Sequence, residues 1–208
     1  MSVFAVSNAA EKQETHGVSP DEALKKLMQG NRRFVAAEYT HPNQSAERRS
    51  EVAKGQHPVA GILSCADSRV PPEIVFDQGM GDLFVVRVAG NMPSPNVLGS
   101  LEYAVEHLGV NLIVVLGHER CGAVDAAVKG GQVPGHIASL VEAIRPAVAE
   151  AKGRPGDLLD NAVRANIEMV VEQLTSKSHI LAESVHEGKL KIVGARYDLD
   201  TGMVAVRR

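Results

Sequence analysis

Apolar residues fall along this chain in short dense blocks separated by longer stretches in which they recur every three or four positions. Four blocks, at residues 58–64, 83–88, 112–117 and 190–195, are too short and too rich in β-branched side chains for helices. Near-continuous apolar runs bounded by turn residues read as buried parallel strands. Between them, Val97, Leu101, Ala104, Val105 and Leu108 keep helical spacing up to Gly109, and Leu159, Val163, Ile167, Val170, Val171 and Leu174 do the same. Ahead of the first strand, Ser19-Pro20-Asp21-Glu22 is a capping box with proline in the first helical position, and Leu24, Leu27 and Met28 follow on one face. A charge-rich helix around residues 45–54 ends at Gly55, and residues 197–206 predict a hairpin through Asp200-Thr201-Gly202. Residues 1–18 carry no periodicity and read as a tail. Strands alternating with helices imply one α/β domain over residues 19–208, its mostly parallel sheet covered by helices on both faces with an antiparallel edge strand added.

Composition narrows the partners. A chain of 208 residues, 44% hydrophobic and 23% charged, suits a single globular domain. A net charge of −3 leaves no electrostatic footprint for nucleic acid or an anionic membrane, so the expected partner is a small molecule. No apolar run approaches the roughly 20 residues that span a bilayer, and the first residues lack the basic and apolar regions of a signal peptide. The expected compartment is the cytoplasm, or the periplasm for a precursor whose leader has been removed.

The chemistry gathers at two words that hold both cysteines, Cys65-Ala66-Asp67-Ser68-Arg69 and His118-Glu119-Arg120-Cys121, each directly behind an apolar block. Both therefore lie at carboxyl ends of strands, where open α/β sheets bind ligands. A catalytic zinc ion commonly has three protein ligands, Cys2His among the known sets, and Cys65, His118 and Cys121 supply one. Cys121 stands where the helix at 121–127 should begin, so unpaired amides favour its thiolate. A disulfide is the competing reading, but it leaves the adjacent His, Asp and Arg unexplained. Two thiolates cancel the charge of the ion and weaken its pull on bound water, so a neighbour must compensate. Asp67 and Arg69, two positions apart, suit a carboxylate gripped by a guanidinium. Turned onto the metal instead, Asp67 would become a fourth ligand and shut the site. The other histidines, at 16, 41, 57, 107, 136, 179 and 186, read as surface groups.

These residues resemble the β-class carbonic anhydrases of the plant-like branch, whose signature is Cys-x-Asp-x-Arg followed by His-x-x-Cys. The likeness extends through Gly30-Asn31-Arg32-Arg33-Phe34, Ser68-Arg69-Val70-Pro71, the Gly81-Asp82-Leu83-Phe84-Val85-Val86-Arg87 segment and Glu102-Tyr103-Ala104-Val105, over roughly residues 20–206. It implies a sheet order 2-1-3-4 with the extra edge strand, an N-terminal helical arm, and one Zn2+ per subunit on Cys65, His118 and Cys121. It also implies an Asp67–Arg69 dyad and reversible hydration of carbon dioxide to bicarbonate and a proton, with zinc-bound hydroxide as nucleophile. Gln56 as a hydrogen-bond donor to substrate, with Phe84 and Tyr103 as pocket walls, carry over as well. That wall is completed across a dimer interface, so the assembly implied is a homodimer or a dimer of dimers. Members switched off by bicarbonate carry Trp three residues before the first cysteine; this chain has Ile62 and no Trp, which implies no such switch. The same zinc site also fits hydrolysis of carbonyl sulfide or carbon disulfide. A non-catalytic zinc module predicts four closed ligands and no use for Gln56, and the Cys65–Arg69 spacing is too short for the phosphate cradle of a cysteine phosphatase.

Overall fold

The computed structural model describes residues 18–207, so the expected N-terminal tail lies outside the described residues except for Val18, whose carbonyl accepts a hydrogen bond from Asn111 Nδ2 at 2.7 Å. Helix α1 (Pro20–Ala36) begins as its capping box dictates. The Ser19 hydroxyl accepts from the Glu22 amide at 3.3 Å while the Glu22 carboxylate accepts from the Ser19 amide at 3.0 Å. After α2 (Ala46–Val52), capped by Ser45, the chain alternates: β1 (Ala60–Ser64), α3 (Pro72–Val75), β2 (Leu83–Arg87), α4 (Pro95–Leu108), β3 (Leu112–His118), α5 (Gly122–Lys129), α6 (Ile137–Ala151), α7 (Leu158–Lys177), α8 (His179–His186), β4 (Lys191–Tyr197) and β5 (Val204–Arg207). The sheet runs β2-β1-β3-β4-β5, parallel except for the β4–β5 hairpin, which is the order the resemblance implied.

Side-chain alternation sorts the two faces. Ala60 and Ile62 of β1, with Leu112, Val114 and Leu116 of β3, pack beneath α1 and α3, meeting Ala23, Leu27, Val75 and Phe76. Leu63, Ile113 and Val115 point the other way, into the layer formed by α4 to α8. The Gly30-Asn31 pair docks α1 on the sheet side. A Cβ on Gly30 would stand 1.7 Å from the Phe76 carbonyl oxygen, and the Asn31 side chain donates to the carbonyls of Val75 (3.1 Å) and Gly202 (2.9 Å) while accepting from the Val204 amide (2.9 Å).

The sequence pattern predicted neither α6 nor the short α3 and α8. Pro146 lies inside α6 and removes one amide donor from its ladder. Five apolar positions, Val141, Ile144, Ala147, Val148 and Ala151, are nevertheless buried along it, and that burial outweighs a proline penalty of about 3 kcal/mol.

The approach of α7 to the sheet depends on two missing side chains. Ile167, buried in α7, fills the groove left by Gly117 on β3 and Gly194 on β4; a Cβ at Gly117 would lie 2.5 Å from Ile167 Cγ1, and one at Gly194 2.7 Å from its Cγ2. Gly117→Ala is therefore expected to destabilise the fold by about 1–3 kcal/mol through overpacking. Thermal unfolding followed by circular dichroism checks this, since a chain of this size loses about 2–4 °C in Tm per kcal/mol.

Candidate functional site

Strands β1 and β3 are parallel neighbours, with Ser64 paired to Leu116, so the residues that follow them emerge side by side at one edge of the sheet. Cys65 leaves the end of β1, His118 closes β3, and Cys121 takes the N-cap position of α5, where the predicted helix begins. All three are buried, and their ligating atoms lie within 4.8 Å of one another. The two sulfurs are 3.9 Å apart and the cysteines are free, which removes the disulfide reading.

Each donor is held in a state suited to a cation. His118 Nδ1 lies 2.8 Å from the Glu119 carbonyl oxygen, which can only accept, so Nδ1 carries the ring proton and Nε2 presents its lone pair. That Nε2 is buried, has no hydrogen-bond partner, and stands 3.7 Å from Asp67 Oδ2. Cys65 is drawn down to about 4, first by the hydrogen bond from Cys121 and against burial, with help from the Gly90 amide. Cys121 is pushed above the usual thiol range by that same bond to Cys65, and burial adds to the effect. Two sulfurs and an imidazole lone pair converge in one buried corner, with the half-buried Asp67 carboxylate beside them. The donor set fits zinc by its chemistry.

Asp67 stands outside the three-donor set and is clamped by Arg69. The guanidinium donates from Nε to Oδ1 at 2.9 Å and from Nη2 to Oδ2 at 2.7 Å, and the Arg69 amide adds a third bond to Oδ1 at 3.0 Å. The Arg69 side chain accordingly holds the Asp67 carboxyl far below the usual carboxylate range. Seven histidines were expected at the surface; the six among the described residues are exposed, and His16 lies outside them.

Two supports escaped the sequence reading. Arg87, at the end of β2, donates from Nε to the Cys65 carbonyl at 3.0 Å and from Nη2 to the Asp67 carbonyl at 2.5 Å, tying down the loop that carries both residues. The Glu119 side chain, next to His118, is held by Arg196 of β4 and by the Leu199 amide at 3.2 Å, while Arg196 Nε also donates to Asp160 of α7 at 2.8 Å. An arginine inside an otherwise apolar strand is a signal for both, although its partners lie far away in sequence.

Gln56, Phe84 and Tyr103 are not brought to this corner within the chain. Phe84 pairs with Gly61, four residues before Cys65, so it lies roughly 13 Å back along the strand direction. Its ring meets Tyr103 at 6.4 Å between centroids, and Tyr103 is 48% exposed. Gln56 is exposed beyond α2. Strand β2, which carries Phe84, is half-buried and pairs only with β1.

The carbonic anhydrase family profile matches residues 60–204. The chain is 45% identical over 193 residues to carbonic anhydrase 2 of Mycobacterium tuberculosis, covering 91% of this chain and 93% of that protein. Among solved structures, the Coccomyxa β-carbonic anhydrase in complex with acetazolamide superposes with a TM-score of 0.69 at 31% identity, covering 88% of this chain and 85% of that one. A structure from a study of two tetrameric β-carbonic anhydrases of Sordaria macrospora has a TM-score of 0.71 at 24% identity, covering 88% and 95%, and is a likeness of fold. No described helix is long and apolar enough to cross a membrane. With signature residues gathered at the strand ends and relatives matched over nearly its whole length, the chain belongs to the β-class carbonic anhydrases, a family of enzymes.

Proposed function

We propose that this enzyme catalyses the reversible hydration of carbon dioxide to bicarbonate and a proton, with one zinc ion per chain held by Cys65, His118 and Cys121. When bound, the ion supplies the Lewis acidity that makes water nucleophilic near neutral pH. The observation that carries the reading is the clamped Asp67: with its carboxylate fixed by Arg69, three protein donors remain, as in catalytic zinc sites, where structural sites close with four. Held ionised, Asp67 Oδ2 accepts a hydrogen bond from the attacking water and orients a lone pair toward the substrate carbon. Arg69 keeps that oxygen off the ligand set, and Arg87 holds the backbone on which Asp67 stands.

The substrate-binding residues act across an interface. Phe84 and Tyr103 form an aromatic surface beside an edge strand and too far from their own Cys65, so they wall the site of a second copy, with Gln56 donating to an oxygen that gains negative charge as carbon dioxide becomes bicarbonate. A homodimer, or a dimer of dimers, is the assembly that completes each site. Ile62, fully buried where bicarbonate-regulated members carry Trp, leaves the resting enzyme without that switch.

Stopped-flow assays on carbon dioxide, carbonyl sulfide and carbon disulfide, run on one preparation with zinc measured alongside, test the assignment. The expected result is rapid hydration of carbon dioxide at one zinc per chain; activity confined to the sulfur substrates would overturn it.

A further inference from the structure

The close seating of Ile167 against the sheet brings the preceding residue, Asn166, up to the loop that faces Cys65. Asn166 is 1% exposed; its Nδ2 donates to the Gly90 carbonyl at 3.0 Å, and its Oδ1 is buried without a hydrogen-bond partner. Asparagine is a poor helix former, and a half-satisfied buried amide is unfavourable beside an apolar side chain of similar size. Packing alone therefore does not account for it. What its one bond holds is unusual backbone. Gly90 is left-handed at φ 71°, and a Cβ there would meet Ile144 Cδ1 at 2.7 Å; Asn91 follows, also left-handed at φ 48°. The peptide on the amino side of Gly90 aims its N–H at Cys65 Sγ, 3.4 Å away, and the peptide on the carboxyl side is the one Asn166 grips. The two peptide planes share the Gly90 Cα, and with Ile144 and Ala123 packed close against it in its left-handed conformation, holding one plane orients the other.

We propose that Asn166 is a positioning residue of the metal centre, fixing through Gly90 the amide hydrogen that the Cys65 sulfur accepts. The proposal rests on the reading of Cys65 as a zinc ligand. An N–H donor on a thiolate withdraws electron density and locks the side-chain rotamer, and loss of such an outer support typically lowers metal affinity about 10–100-fold.

Cobalt-substituted protein supplies a readout that does not depend on activity. In Asn166→Leu and Asn166→Ser the thiolate-to-cobalt charge-transfer band should move to longer wavelength, and zinc affinity, measured against a competing chelator, should fall about 10–100-fold. Asn31→Leu is the control, because Asn31 is a comparably buried amide whose partners, Val75, Gly202 and Val204, adjoin no ligand. It should lower thermal stability and leave the band in place. A band and an affinity unchanged in either folded Asn166 variant would overturn the proposal, as would an equal shift in Asn31→Leu. Should Asn166→Leu fail to fold, Asn166→Ser decides by the same measurement. A native chain without any thiolate-to-cobalt band would instead overturn the reading of Cys65 as a ligand, and the proposal with it.

Discussion

Cys121→Ser is expected to fold and yet to retain almost no zinc, with carbon dioxide hydration lowered by at least about 10³-fold. Serine keeps the shape of the side chain and the N-cap position of α5, so the helix has no reason to shift. What changes is the donor. A hydroxyl stays protonated at neutral pH, where a thiol facing a dication does not, leaving one sulfur and one imidazole to hold the ion. Zinc measured by atomic emission after dialysis against a mild chelator checks the prediction, and one zinc per chain in the variant would refute the ligand set. The loss should also make the variant indifferent to chelator in thermal unfolding, while the native chain loses stability when stripped.

Asp67→Asn should have the opposite signature, full zinc occupancy with turnover at neutral pH reduced about 10²-fold. The amide fills the same volume but offers one accepting oxygen to a guanidinium that now uses two, and its NH2 group cannot accept the hydrogen bond of the attacking water. The sign of the pH dependence follows from the depressed carboxyl. A carboxylate held low in the folded state contributes its stabilisation above its ordinary range and loses it only as the pH falls through the lowered value. Asp67 is therefore ionised throughout the working range, and an inflection near neutrality in the rate profile of the native enzyme belongs to another group. Stopped-flow rates across pH for the two proteins, paired with zinc content, are the measurement. Native-like turnover in Asp67→Asn would remove this carboxylate from the mechanism.

The parts of the fold written in short-range chemistry were legible in the sequence. The Ser19–Glu22 box opens α1, the β-branched blocks are the parallel strands, and the helix expected at Cys121 begins there. The two cysteine words could be placed at strand ends because strand and turn are both local, and their convergence then follows from β1 and β3 being neighbours. The rest depends on tertiary contact. Pro146 hid α6, whose stability comes from burial against α5 and α7. Arg87 and Asn166 act on the site through backbone carbonyls, which every residue carries, and Glu119 and Arg196 pair across a long stretch of sequence, so the arginines in β2 and β4 are a local sign whose partners spacing does not reveal. Gln56, Phe84 and Tyr103 lie away from the cysteine corner of their own chain, and under the proposed function their positions acquire meaning beside a second copy.

The adjacency of β1 and β3 also bears on how the site comes into being. Their pairing, Gly61 with Ile113, skips over the whole of β2 and α4, and such non-local parallel contacts form late and slowly because loop closure precedes any gain from them. On the proposed ligand set, Cys65 is remote from the His118–Cys121 turn before that event, and an unfolded chain offers the metal no more than a loose two-point grip. Tight coordination thus reports that the central strands have docked, and a bound ion should act chiefly as a brake on unfolding, slowing the separation of β1 from β3 more than it speeds their meeting.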